Sequence, residues 1–148
     1  MRAKEFLSQY LWAAELVRQC EHDIYEIEAT IDTISYDTDG MPRGSEITDR
    51  TARIAVSLAD AKRKRELLII KAWEIRERVE AVIQRVEDPV QSRLLYMRYI
   101  LDADWQTVAD DKIVSCTVNH ARGKLHSNSL KSVEIIIGTD DLRPLQNF

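Results

Sequence analysis

The chain has 148 residues, a formal net charge of −4 and 45% hydrophobic residues, which suits one globular unit of ordinary size. Only 4 Gly and 3 Pro are present, too few turn residues for a sandwich or barrel of many short strands, so a mostly helical protein is expected. No apolar run approaches the ~18 residues that span a bilayer, and the opening ten residues lack the apolar stretch of a signal peptide. The expectation is a cytoplasmic chain with no membrane contact.

From Tyr10 the apolar positions Ala14, Val17, Cys20, Ile24, Ile27, Ile31 and Ile34 follow at steps of three and four, which predicts one stripe on a helix. The stripe stops at a loop over Tyr36–Ser45, where two glycines, a proline and small polar residues cluster. A second stripe, Ile54, Leu58, Ala61, Leu68, Ala72, Ile75, Val79, Val82 and Val86, predicts a helix from about Thr51 to about Glu87, with only Arg65 interrupting its apolar seam. Folded back on the first, it makes a long antiparallel hairpin. A seam this long and aliphatic also suits a second copy of the chain, so a homodimer is expected, the alternative being a monomer whose hairpin packs on its own C-terminal domain.

Charge is segregated along the chain: residues 1–40 carry 3 basic and 9 acidic side chains, 41–87 carry 11 and 8, and 88–148 carry 7 and 8. The acidic first helix and basic second helix favour pairing with each other. The run Lys62–Arg65 reads either as a solvated face or as a grip on phosphates, with Arg65 placed to meet an acid of the first helix.

At Glu87-Asp88-Pro89 the pattern breaks, since Asp88 can cap a new helix and Pro89 fits its first turn. Three helices are predicted beyond it, over about Pro89–Leu101, Trp105–Asp111 and Ser115–Ile137. Asp104 caps the second and Ser115 or Thr117 the third, whose inward face is Val118, Ala121, Leu125 and Val133. The run Ile135–Gly138 ends the third helix or forms a short strand. The domains expected are a hairpin arm over 1–87, a three-helix head over 88–137 and a loose tail over 138–148.

No glycine-rich phosphate loop, nucleophile elbow or His-Glu-x-x-His motif occurs, so an enzyme is not expected. His120 and His126 are six apart and face different sides of a helix, His22 stands alone, and no acidic pair has calcium-loop spacing, so neither metal nor other cofactor is expected. Cys20 and Cys116 lack any metal or disulfide spacing and read as two reduced thiols.

A short helix with a Trp and a Val-Ala pair, followed by a polar helix start, has the layout of a helix-turn-helix. The outer face of the third helix is then Asn119, His120, Gly123, Lys124, Ser127 and Lys131, flanked by Thr117 and Arg122. Arg122, Lys124 and Lys131 suit phosphates of double-stranded DNA, while Thr117, Asn119 and His120 suit base edges and Ser127 lies on the same side.

Several stretches carry a family resemblance: Ala3–Leu7, the Met41-Pro-Arg-Gly-Ser45 loop, Val86–Pro89, the Leu94–Tyr99 run, Trp105–Ala109, and Leu125-His126 followed by Leu130. In these the chain resembles small proteins of Gram-positive phages and prophages whose C-terminal half is similar to region 4 of sigma-70 factors and to phage late-transcription activators. The resemblance implies an all-α chain, a helical hairpin followed by a sigma region 4-like helix-turn-helix domain, and a role in transcription regulation with no cofactor. Relatives usually carry a Gly in the turn where this chain has Lys112-Ile113-Val114. The Trp105 to Leu125 spacing is also about three residues longer than in region 4, so the turn is extended or the last helix begins earlier.

Two functions stand open at this level. One is a DNA-binding regulator. The other is a helical adaptor whose acidic N-terminal region binds a host protein such as RNA polymerase, without DNA binding of its own.

Overall fold

The computed structural model describes residues 2–37 and 45–140. All regular structure among them is helical: α1 (Ala3–Asp37), α2 (Ser45–Gln84), α3 (Pro89–Tyr99), α4 (Trp105–Asp110), α5 (Val118–His120), a π-helical turn (Ala121–Leu125) and α6 (His126–Asp140). The last three run on without a break and form one helix over 118–140, called here the last helix. The expected all-α class is therefore observed. Residues 38–44, which hold most of the Met41–Ser45 loop, and residues 141–148 of the expected tail lie outside the described residues. The helix nevertheless runs through Gly138 and on to Asp140, so Ile135–Ile137 form neither a helix end nor a strand. Val133 and Ile137, four apart, are buried while Ile135 is exposed, which is helical periodicity.

The chain divides into two compact units, residues 1–12 with 73–148, and residues 13–72. Both divisions fall inside the long helices, whereas the sequence placed its boundary at 87/88. The reason is at the N-terminus. Helix α1 begins at Ala3, ahead of the stripe read from Tyr10, and Ala3, Phe6 and Leu7 are fully buried. Their i, i+3, i+4 spacing puts them on one face of the helix.

In the unit formed by 13–72, α1 and α2 lie against each other. Cys20 and Ile24 are buried, the Cys20 thiol contacts the Ala61 carbonyl at 3.4 Å, and Lys62 Nζ is 3.6 Å from Glu28 Oε1. The charge pairing between the helices thus runs through Lys62, with Arg65 half-buried on the seam as its spacing requires. An exposed pair of this kind contributes about 0–1 kcal/mol; burial of the stripe contributes more.

In the other unit, Ile75, Val79, Val82 and Ile83 of α2 share a core with Leu94, Leu95 and Met97 of α3, Val108 and Ala109 of α4, and Ala121, Val133 and Ile137 of the last helix. The helix starts follow from local chemistry. Asp88 Oδ1 accepts from Val90 N at 2.9 Å with Pro89 in the first turn, and Asp104 Oδ1 accepts from Thr107 N at 2.8 Å. The Thr107 N–H, aided by the Thr107 side chain, holds the Asp104 carboxyl below the usual carboxylate range. Thr117 Oγ1 accepts from His120 N at 3.2 Å, so Thr117 and not Ser115 caps the last helix.

Candidate nucleic-acid interface

The candidate interface is the last helix and the turn that delivers it. Helix α4 contacts both α5 and the π-helical turn, and α3 contacts α4 and α6, so the last helix is seated on two shorter ones. Val118 and Leu125 are half-buried and Ala121 and Val133 buried, as expected of the inward face. Thr117, Asn119, His120, Arg122, Gly123, Lys124, Ser127 and Lys131 are all exposed. Between Asp111 and Glu134 the chain carries Lys112, Arg122, Lys124 and Lys131 and no carboxylate, so this surface is locally basic although the chain as a whole is acidic.

The turn between α4 and the last helix is built without glycine. Ser115 adopts φ 37°, in the left-handed region, and its N–H donates to Asp111 O at 2.7 Å while Cys116 N–H donates to Ala109 O at 3.1 Å. The left-handed residue is thus Ser115, one position after the Lys112–Val114 stretch. Such a backbone costs a non-glycine residue about 1–2 kcal/mol. What holds it is a clamp. Arg93 on α3 reaches Asp111 with Nη2 at 3.1 Å and Nε at 3.3 Å from each carboxylate oxygen, and Asp111 Oδ1 also accepts from Ile113 N at 3.1 Å. The Arg93 hydrogen bond, aided by the Ile113 N–H, lowers the Asp111 carboxyl pKa.

A second anchor sits under the middle of the last helix. His126 Nε2 is 2.8 Å from the Tyr99 hydroxyl, its ring is stacked on Tyr99 at 6.0 Å and meets Trp105 edge-on at 5.0 Å, and the Arg98 guanidinium lies 4.9 Å above Trp105. Burial lowers the His126 pKa, helped by the positive charges of Lys4 and Arg98. Burial also raises that of Tyr99. His126 is accordingly a structural pillar and His120 an exposed residue. Farther along, Ser132 Oγ donates to Gln91 Oε1 at 2.7 Å, tying α6 to α3, and the buried Ser129 hydroxyl donates to Leu125 O at 2.7 Å.

The π-helical turn over Ala121–Leu125 places one more residue in a turn than an α-helix does; His126 N–H bonds the Ala121 carbonyl, five residues back. It turns both Leu125 and His126 inward, where each is half-buried. Gly123 lies within it, and a Cβ there would meet nothing within 4 Å.

The clamp, the His126 pillar and the π-helical turn all escaped the sequence reading. Arg93 and Asp111 are 18 residues apart with no local pattern joining them. Gly123 in mid-helix was the one local sign of the turn. Among the described residues no group of three or more His, Cys, Asp or Glu could hold a metal ion, and no helix is long and apolar enough to cross a membrane. Comparison with known proteins finds no matching family model, no matching curated protein and no matching solved structure.

Proposed function

We propose that the chain is a DNA-binding transcription regulator of phage or prophage type. In this reading residues 89–140 act as a sigma region 4-like helix-turn-helix head, and the antiparallel hairpin of α1 and α2 is its arm. The observation that carries the proposal is the exposed outer face of the last helix from Asn119 to Lys131, a stretch without carboxylates that sets Asn119, His120, Arg122, Lys124, Ser127 and Lys131 on one element. Arg122, Lys124 and Lys131 pair with phosphates; Asn119 and His120 reach base edges in the major groove. Thr117 uses its hydroxyl oxygen as the helix cap and contributes its remaining O–H and the helix start.

The test is a titration of duplex DNA at several salt concentrations. Lys124→Ala should weaken binding to all sequences about equally and lower the salt slope by about one. An unchanged slope removes Lys124 from the phosphate contacts, and no duplex binding even at low salt overturns the proposal.

A second reading, the adaptor that binds a host protein such as RNA polymerase, is favoured by one observation. Residues 1–40 hold 3 basic and 9 acidic side chains, and α1 exposes Tyr25 (68%) among those acids. A gel shift on a phage late promoter with and without polymerase separates the two: binding by the chain alone supports the regulator, and a shift only with polymerase supports the adaptor.

A further inference from the structure

We infer that the outer face of α2 is a self-association surface, on which two copies of this chain pair antiparallel about a two-fold axis passing between positions 61 and 62.

The sequence pointed to the seam of α2 as the dimer contact, but in the structure α1 occupies that seam, with the Cys20 thiol on the Ala61 carbonyl and Ile54, Leu58, Arg65 and Leu68 half-buried. At 100° per residue, the opposite side of α2 is the line Val56, Ala59, Asp60, Arg63, Leu67 and Ile70. All six are exposed, Val56 by 62%, Leu67 by 58% and Ile70 by 56%. A solvated helix face carries polar residues, and four of these six are apolar.

The occupant follows from the order of residues along this line. Four of its six residues read Val56-x3-Asp60-x2-Arg63-x3-Leu67, the same spacing in either direction with acid exchanged for base, while Ala59 and Ile70 lie outside this symmetry. A two-fold axis at the centre sets Val56 on the partner's Leu67 and Asp60 on the partner's Arg63, and each contact occurs twice, as an isologous interface requires. Parallel pairing in register would instead set Asp60 on the partner's Asp60 and Arg63 on the partner's Arg63, which repel. An unrelated partner would need a matching pattern of its own; a second copy already has it. The inference does not rest on DNA binding, since every residue in it lies within 13–72.

The test is sedimentation of the full chain without nucleic acid across a range of concentrations. The wild type should reach twice the monomer mass. Asp60→Arg and Arg63→Asp should each weaken the dimer by about tenfold or more, because each places like charges face to face twice, and the double variant carrying both should regain wild-type association. Both positions of change are exposed, and unchanged helical circular dichroism checks that each variant is folded. A chain that stays monomeric, a dimer indifferent to the single reversals, or a double variant that fails to recover overturns the inference.

Discussion

Removing the Arg93–Asp111 clamp should separate a geometric contribution from a merely electrostatic one. Asp111→Ala deletes the acceptor of three guanidinium contacts at 3.1–3.3 Å and of the Ile113 N–H at 3.1 Å. Because the Arg93 side chain is 37% exposed, water can replace part of what it loses, and the ion pair is worth about 1 kcal/mol after screening. The Ile113 hydrogen bond adds about 0.5–1.5 kcal/mol, so Asp111→Ala should cost about 2 kcal/mol in all. Arg93→Ala leaves Asp111 bonded to Ile113 and should cost about 1 kcal/mol. A double-mutant cycle read by urea unfolding should then give a coupling of about 1 kcal/mol. The sign with pH follows from the lowered Asp111 pKa: this stabilisation is present at neutral pH, above the ordinary carboxylate range, and fades as pH falls through the folded-state value. A coupling near zero, or one that persists in acid, would refute the account of the turn as clamped.

Three further outcomes follow from the same head. His126 has a lowered pKa because it is buried, so stability should be full above about pH 6.5 and decline as pH falls from there through the folded-state value, by at most about 1.4 kcal/mol per pH unit; His126→Phe should flatten that part of a Tm-against-pH curve, and an unaltered curve would count against His126 as the group responsible. Ser115→Gly relieves the positive φ but loosens the unfolded chain, for a net gain of about 0.5 kcal/mol; a fall in Tm would show that Ser115 is unstrained. Gly123→Ala should raise stability by up to about 1 kcal/mol since its Cβ meets nothing, while weakening DNA binding if a phosphate approaches the backbone there; unaltered affinity would place Gly123 away from the duplex.

Features that depend on near neighbours in sequence were legible without coordinates. The caps at Asp88 and Asp104 and the first-turn Pro89 act within one turn, and the exposed positions from Asn119 to Lys131 follow from helical periodicity alone. Ambiguity persisted where two local choices were chemically alike: Ser115 and Thr117 can both cap, and only the backbone decides, because Ser115 at φ 37° cannot take the extended conformation that Thr117 adopts at φ −74°. The core role of the N-terminal Ala3, Phe6 and Leu7 is hidden for a related reason, since three apolar positions ahead of a long stripe do not reveal which core receives them.

Sequence by itself determined the helical class, the starts of the C-terminal helices and the basic outer face of the last one, because each is set by spacing and by hydrogen bonds within a few residues. Tertiary structure decided the rest: that residues 1–12 join 73–148, that Arg93 holds the turn through Asp111, and that His126 stands between Tyr99 and Trp105. These pair groups distant along the chain, and such contacts form only when packing has already brought the helices together.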